Sequence, residues 1–413
     1  MGSTQRMPAT ARVLVAGRRS LAAVAVLALV AGGCGEDSGT AAPDDGFDRA
    51  ALFTNLSTNV IVPAMETFAG EATTLEAAVS AYRMAPEPGT LLAARDAWRG
   101  AMTAWQRVEV MQIGPASAPP AAGAQSLRDA VYSWPTVSPC AVDQQIVSKG
   151  YLETDFVGKR LVSVSGLDAL EYLLFYAGGD NACASAAAIN RDGLWTALDS
   201  DDLVVRRATY AHVVAVGIRA AADQLLETWR PAPVGDDFGA QLVSAGTTGS
   251  VYNSVNVALD DLFAAIFYVD TYTKDAKLGE VIGQTTECET LACGPERRES
   301  KWADHSGENI VANLEALQRL FHGGIPPNDG IGFDDFLVAR DGASVSTALA
   351  AEIATALEKA SNLGASLVSV ASSDPPAVEA LFTAVGDITD TLRSEFVFVL
   401  RVNIPPSGIG DVD

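Results

Sequence analysis

Basic residues and histidines are both scarce in this chain. Only 28 Lys+Arg stand against 51 Asp+Glu in 413 residues, a formal charge of −23. Four of those arginines (Arg6, Arg12, Arg18, Arg19) precede Cys34 and no acid does, so the chain from Cys34 onward carries 24 against 51, or −27. Such a surface repels phosphate backbones, which excludes nucleic acid as a partner; it suits solubility, or the attraction of cations. Three histidines, His212, His305 and His322, leave little for acid–base chemistry near neutrality. His-Glu-x-x-His, Gly-x-Ser-x-Gly and phosphate-binding glycine loops are all missing, and no residue is assigned as catalytic. Beyond the N-terminus no segment offers ~18 uninterrupted apolar residues, so the body is expected to be soluble. Alternating β-branched runs bounded by hairpin turns are absent too, and the fold class expected is all-α.

What is present begins with an export signal. A basic stretch ending in Arg18-Arg19 leads into the apolar run Leu21 to Val30, then Ala31-Gly32-Gly33-Cys34. A charged region, a short apolar core and small residues before a cleavage point make a secretory signal. The cysteine directly after them matches a bacterial lipoprotein signal, with Cys34 as the lipidated residue; the alternative is an ordinary signal peptide with a chance cysteine. Residues 1–33 are therefore read as signal peptide and 34–46 as a flexible tether. The expected location is the cell envelope, lipid-anchored at a periplasm-facing outer membrane or at the cell surface, so the membrane is a partner through that anchor. The other four cysteines, Cys140, Cys183, Cys288 and Cys293, form an even set in an exported chain, where disulfides persist. A thiolate metal site lacks its Cys-x-x-Cys spacing. The expected pairs are Cys288–Cys293, local in a loop, and Cys140–Cys183.

With 48% hydrophobic residues the chain can fill a core, and its long segments read with helical period. Trp98, Met102, Trp105 and Glu109 share one face between Leu91 and Ile113, which Gly114-Pro115 stops. Further helices are expected over Val205 to Trp229, Val251 to Tyr272, Ile310 to Phe321, Ser344 to Ser372 and Pro375 to Val402. Gly323-Gly324 is a helix-ending signal. The break at Pro231-Ala232-Pro233 divides the mature chain into helical bundles of the four-helix type at 47–231 and 232–405. Gly166 to Leu174 aligns without gaps on Asn313 to Phe321, which suggests a duplication with a cleft between its halves.

The chemistry-bearing candidates are carboxylates. Asp168 and Glu171 sit i, i+3 on the face continued by Val164 and Phe175, and Glu109 lies on the stripe of Trp98 and Trp105. Acids on apolar stripes find a cation, an arginine or hydrogen-bond donors, or else stay protonated. If Glu109, Asp168 and Glu171 converge, they make an oxygen-rich site for a hard ion such as iron, calcium, magnesium or manganese. Alternatively Ser165 and Asp168 form a capping box, with Glu171 paired to an arginine.

Gly166-Leu167-Asp168-Ala169-Leu170-Glu171-Tyr172-Leu173-Leu174 resembles the Gly-x-His-x-x-Glu helix of imelysin-like proteins. Ala94 to Trp98 with Trp105 to Pro115, Tyr132-Ser133-Trp134-Pro135, and Glu299 to Trp302 with Asn309 to Gln318 follow in that family's order, over roughly Leu52 to Ile404. The resemblance implies a two-bundle envelope protein, first described in the family as an insulin-cleaving peptidase and elsewhere tied to iron or haem uptake. It implies a metal site at Glu109, Asp168 and Glu171, with Trp134 as a cleft residue, and other envelope proteins of metal uptake as partners; His305 is a further cleft candidate because it precedes the Asn309 to Phe321 helix that echoes the motif helix. Asp168 stands where the family has histidine. That disfavours a zinc-type peptidase and favours binding of a metal ion or metal complex. A metallopeptidase, and a module binding a non-metal partner in the same cleft, are the alternatives. His322, in a last turn, complements the helix dipole.

Overall fold

Side-chain caps start several of the helices. Asp48 accepts Ala51 N–H at 2.9 Å, Asp199 accepts Asp202 N–H at 2.7 Å and Ser254 accepts Val257 N–H at 3.2 Å, each satisfying a first-turn donor that has no partner within the helix. The computed structural model describes residues 45–405 except 160, 161, 232–236, 286, 287, 289–291, 328 and 365. The expected export signal, Cys34 and the expected tether up to residue 44 lie outside the described residues, as do 232–236 at the boundary expected near Pro231. The described chain is 71% helix and has no strands, so the all-α expectation holds.

Helix α1 (Val62–Met84) buries Met65, Phe68, Ala72, Leu75 and Val79, a 3-4-3-4 spacing that makes one continuous apolar stripe. It packs against α2 (Pro88–Glu109) and against α5 (Ser200–Trp229), while α4 (Gly166–Phe175) lies across α5 and α2. Between them α3 (Pro139–Ser148) carries Cys140, whose disulfide to Cys183 is formed, as is the Cys288–Cys293 bridge. A second group contains α6 (Val255–Ile266), α7 (Ser306–His322), α8 (Ala343–Leu363) and α9 (Pro375–Thr391). Within it α8 packs on α7 and α9, and the two groups meet where α7 lies against α2.

Some helix boundaries differ from the expected ones. The Val251 to Tyr272 stripe is not one helix: Ser254 caps a start at Val255, α6 ends at Ile266, and Val269–Gly279 winds as a wider π-helix. The Ser344 to Ser372 span breaks at Gly364, which has φ +63°, and resumes at Leu367. The α2 helix begins at Pro88, where Glu87 N–H bonds Thr90 Oγ1 at 3.2 Å, and ends at Glu109 rather than Ile113. Gly323 does end α7 in the left-handed conformation, at φ +67°.

Candidate functional site

The helix α4 is held to α2 at both ends. Trp98 Nε1 donates to Leu167 O and Arg95 Nε donates to Leu174 O, each at 2.8 Å. Its first residue, Gly166, has φ +85°, and a Cβ there would sit 2.9 Å from Val131 O and 3.1 Å from Asp168 Oδ1. Only glycine fits that turn without strain. Ser165 makes no side-chain cap bond, so the capping box its spacing allows is not formed. Asp168 Oδ1 instead accepts Ala169 N–H at 3.0 Å.

Asp168 and Glu171 are both buried and line one cavity of about 140 Å³, with Trp134, Arg298, Lys301 and Trp302 among its walls. Glu171 Oε1 accepts the backbone N–H groups of Trp302 and Ala303, both at 2.8 Å. Its second oxygen has no hydrogen-bond partner among the described residues. Asp168 Oδ2 lies 3.1 Å from Ser133 Oγ, and the Val162 carbonyl lies 3.1 Å from the same hydroxyl. A hydroxyl has one proton to donate. When Val162 takes it, Asp168 completes its bond only as a donor, in its protonated form. Burial pushes the Asp168 carboxyl up to about 7 and the Glu171 carboxyl up to about 8, and each is held down in part by the donors just named. Two acids poised near neutrality thus face one small chamber.

Glu109 is fully buried but does not line that chamber. Arg128 Nη2 lies 3.0 Å from its Oε1, and Lys277 Nζ lies 3.8 Å from its Oε2. The same Arg128 nitrogen donates to Trp134 O at 3.1 Å, which ties this pair to the cavity wall. Lys277 belongs to a buried polar network between the two helical groups. Its Nζ donates to Gln106 Oε1 and to Asn313 Oδ1 and lies 3.1 Å from Glu299 Oε1. Glu299 also accepts from Tyr132 Oη at 2.7 Å, Gln106 Nε2 at 3.0 Å and Asn309 Nδ2 at 2.8 Å. Two carboxylates and two cations offset one another here, which is the condition for burying charge, while Glu109 Oε2 and Asn309 Oδ1 have no hydrogen-bond partner among the described residues. Burial, with Glu299, Glu109 and Asp168 nearby, holds the Tyr132 hydroxyl well above the ordinary range.

The structure therefore brings Asp168, Glu171 and Trp134 to one cavity and turns Glu109 toward Arg128. The three acids do not close to the 4.8 Å spacing of ligand atoms found at His322, Asp329 and Asp334. In that group His322 Nδ1 is 2.7 Å from Asp334 Oδ2, and the bond raises the imidazole pKa. His305 lies apart from the cavity lining. Its Nε2 is 2.9 Å from Thr103 Oγ1, its ring meets Trp98 edge-on, and burial lowers its pKa. Sequence reasoning missed Arg128, Tyr132, Lys277 and Glu299 as site residues. Glu299 and Tyr132 lay within quoted motifs, which was the available signal; Lys277 sits on the π-helix, where a 3.6-residue pattern carries no signal.

As a donor set, two carboxylates raised by burial and free of imidazole fit a hard cation, whose charge relieves the desolvation that raises them. Among the described residues no helix is long and apolar enough to cross a membrane.

Comparison with known proteins supplies the lineage. Iron-regulated protein A from Synechococcus elongatus is 27% identical over 264 residues, a match spanning 64% of this chain and 62% of that protein. The crystal structure of a chain described as an iron-regulated protein A precursor from Parabacteroides distasonis superposes with TM-score 0.63 at 15% identity, covering 86% of this chain and 95% of that one. An imelysin-like protein from Psychrobacter arcticum gives TM-score 0.63 at 14% identity, covering 86% and 96%. At such identities the structural likeness shows the fold. The family model for imelysin (Peptidase_M75) matches residues 61–394, and the chain belongs to the imelysin family.

Proposed function

We propose that this protein is an envelope lipoprotein of iron handling, anchored through Cys34, that binds a hard metal ion or metal complex as cargo in the Asp168–Glu171 cavity. The observation that carries the reading is the Glu171 carboxyl: one oxygen is fixed by two backbone N–H groups, the other has no hydrogen-bond partner among the described residues, and the side chain lines one chamber with Asp168. Such anchoring sets a ligand's orientation before the ion arrives. Asp168 and Glu171 would hold the ion, while Glu109 fixes Arg128 and through it the Trp134 wall. The ion supplies positive charge to two acids that otherwise keep protons. The iron-regulated name of the Synechococcus relative supports the choice of cargo.

Thermal melting against rising Mn²⁺, Ca²⁺ or ferric iron tests the reading. Binding to the folded state raises Tm with ligand concentration, and Asp168→Ala with Glu171→Ala should abolish that rise. A wild-type Tm that is unmoved by all three ions and by ferric citrate refutes it. Anchoring is tested by palmitate labelling, which Cys34→Ala should eliminate. Hydrolysis of peptides that stops on chelation would instead establish the metallopeptidase reading.

A further inference from the structure

The wall of the Asp168–Glu171 cavity away from α4 is built from the densest basic stretch after Cys34: Arg297, Arg298 and Lys301 fall within five residues, and all three line the cavity, together with the single acid Glu296 beside them. Arg297 is neutralised, with Nε and Nη2 each 2.7 Å from Glu280 Oε2. Lys301 has no such partner among the described residues, and Arg298 has only one long ion pair. Arg298 donates to the carbonyls of Pro295 and Lys301 at 2.8 and 3.1 Å, and its nearest carboxylate is that of Glu296, 3.9 Å away on a side chain 89% exposed. Lys301 Nζ lies 4.9 Å from the centre of the Trp302 ring and makes no ion pair among the described residues. In a chain with 51 acids and 28 basic side chains, two cations at one cavity whose only described ion pair is a 3.9 Å contact to an exposed Glu296 are an exception to the local charge balance.

A bare cation gains nothing from that arrangement, because Arg298 and Lys301 repel it on its way to Asp168 and Glu171. An anionic ligand alone fits no better, because it brings no cation to Asp168 and Glu171 and is repelled as soon as either acid ionises. One class of ligand matches both ends: a metal ion that carries its own negatively charged chelator. Its metal side faces the acids, and its carboxylate-type oxygens face the guanidinium and the ammonium, groups suited to such oxygens. Trp134 and Trp302 flank the same chamber with flat apolar walls.

We infer that the cavity's ligand is an anionic chelate of a hard metal, with Arg298 and Lys301 as the residues that recognise the chelator. This rests on the metal-binding reading above and narrows it to a substrate class. The test is calorimetric titration of the full-length protein with three probes: ferric citrate, Mn²⁺ alone and metal-free citrate. Ferric citrate should bind, and metal-free citrate should bind at least tenfold more weakly. Lys301→Gln should weaken ferric citrate about tenfold and at the same time tighten Mn²⁺, because one substitution removes an attraction for the first and a repulsion for the second. Arg298→Lys, which keeps the charge, should retain most ferric citrate affinity, whereas Arg298→Gln should not. Glu171→Gln should weaken both metal probes. If Mn²⁺ binds and ferric citrate does not, or if Lys301→Gln moves both in the same direction, the inference is overturned and the metal-binding reading stands. If metal-free citrate binds as tightly as ferric citrate, or if no probe binds, both are overturned.

Discussion

Glu171 and Trp302 are joined across 131 residues of sequence by a single 2.8 Å bond from the Trp302 backbone N–H to the carboxyl oxygen. A side chain of α4 thereby fixes a segment that comes just before α7, in the other helical group. The bond needs an acceptor, not a charge, and the first prediction follows from that distinction.

Glu171→Ala leaves the Trp302 and Ala303 N–H groups without their acceptor and should destabilise the protein by about 2 kcal/mol. Glu171→Gln retains a carbonyl oxygen at the same place and should lose well under half of that. Urea unfolding of the two variants distinguishes them; equal losses would mean that the negative charge itself, and not the acceptor, holds the segment.

The second prediction concerns pH. An acid whose folded pKa lies above its unfolded value binds more protons when folded, so its contribution is complete below the unfolded pKa and disappears as pH rises through the folded one. For Asp168 and Glu171 the unfolded values are near 3.8 and 4.5 and the folded ones about 7 and about 8. Metal-free protein should therefore lose stability between pH 5 and 8 on the order of a few kcal/mol. Asp143, raised by burial to about 6, contributes with the same sign. The Asp168→Asn, Glu171→Gln double variant should flatten most of the slope but leave the Asp143 part. A slope unchanged by the double variant would refute the assignment.

Metal uptake should release protons. An ion that displaces the Asp168 and Glu171 protons at pH 6.5 should liberate between one and two per ion, because both groups then retain most of theirs. Titration calorimetry in buffers of different ionisation enthalpy reads this number directly. No buffer dependence would place the ion elsewhere.

Lys277→Met removes the cation shared by Glu299 and Glu109 while preserving volume. Breaking a buried pair from one side costs about 3–5 kcal/mol. Adding Glu299→Gln should recover part of the loss, since the amide needs no counter-charge. Denaturation of the single and double variants measures both, and a double variant worse than the single would contradict the offsetting charges described above.

Gly166→Ala should destabilise by about 1–2 kcal/mol, from the left-handed φ alone, and should weaken metal binding as well, because the new methyl crowds Asp168 Oδ1 at 3.1 Å. Normal affinity in a folded variant would show that Asp168 tolerates displacement.

Much of this site was legible in the sequence where side-chain periodicity reports burial. The stripe through Trp98 and Trp105 correctly marked Glu109 as buried, and the i, i+3 pair correctly put Asp168 and Glu171 on one face. The even cysteine count, in a chain read as exported, pointed to both disulfides. Partner identity was not legible. Arg128 lies on a five-residue helix with no pattern of its own, and the donors to Glu171 are backbone groups that no residue type announces. The Val251 to Tyr272 stripe could not reveal its π-helical continuation, because one residue gained per turn rotates every later side chain and brings Lys277 inward.

The Lys277 network has a consequence for traffic. Parting the helical groups along α2 and α7 would strand Glu109, Glu299 and Lys277 half-dehydrated, with Gln106 and Asn313 stripped of each other. That interface acts as a weld and not as a hinge. On the metal-binding reading proposed above, cargo would accordingly enter and leave beside Arg298 and Lys301, and loading should proceed without any change in the overall hydrodynamic radius.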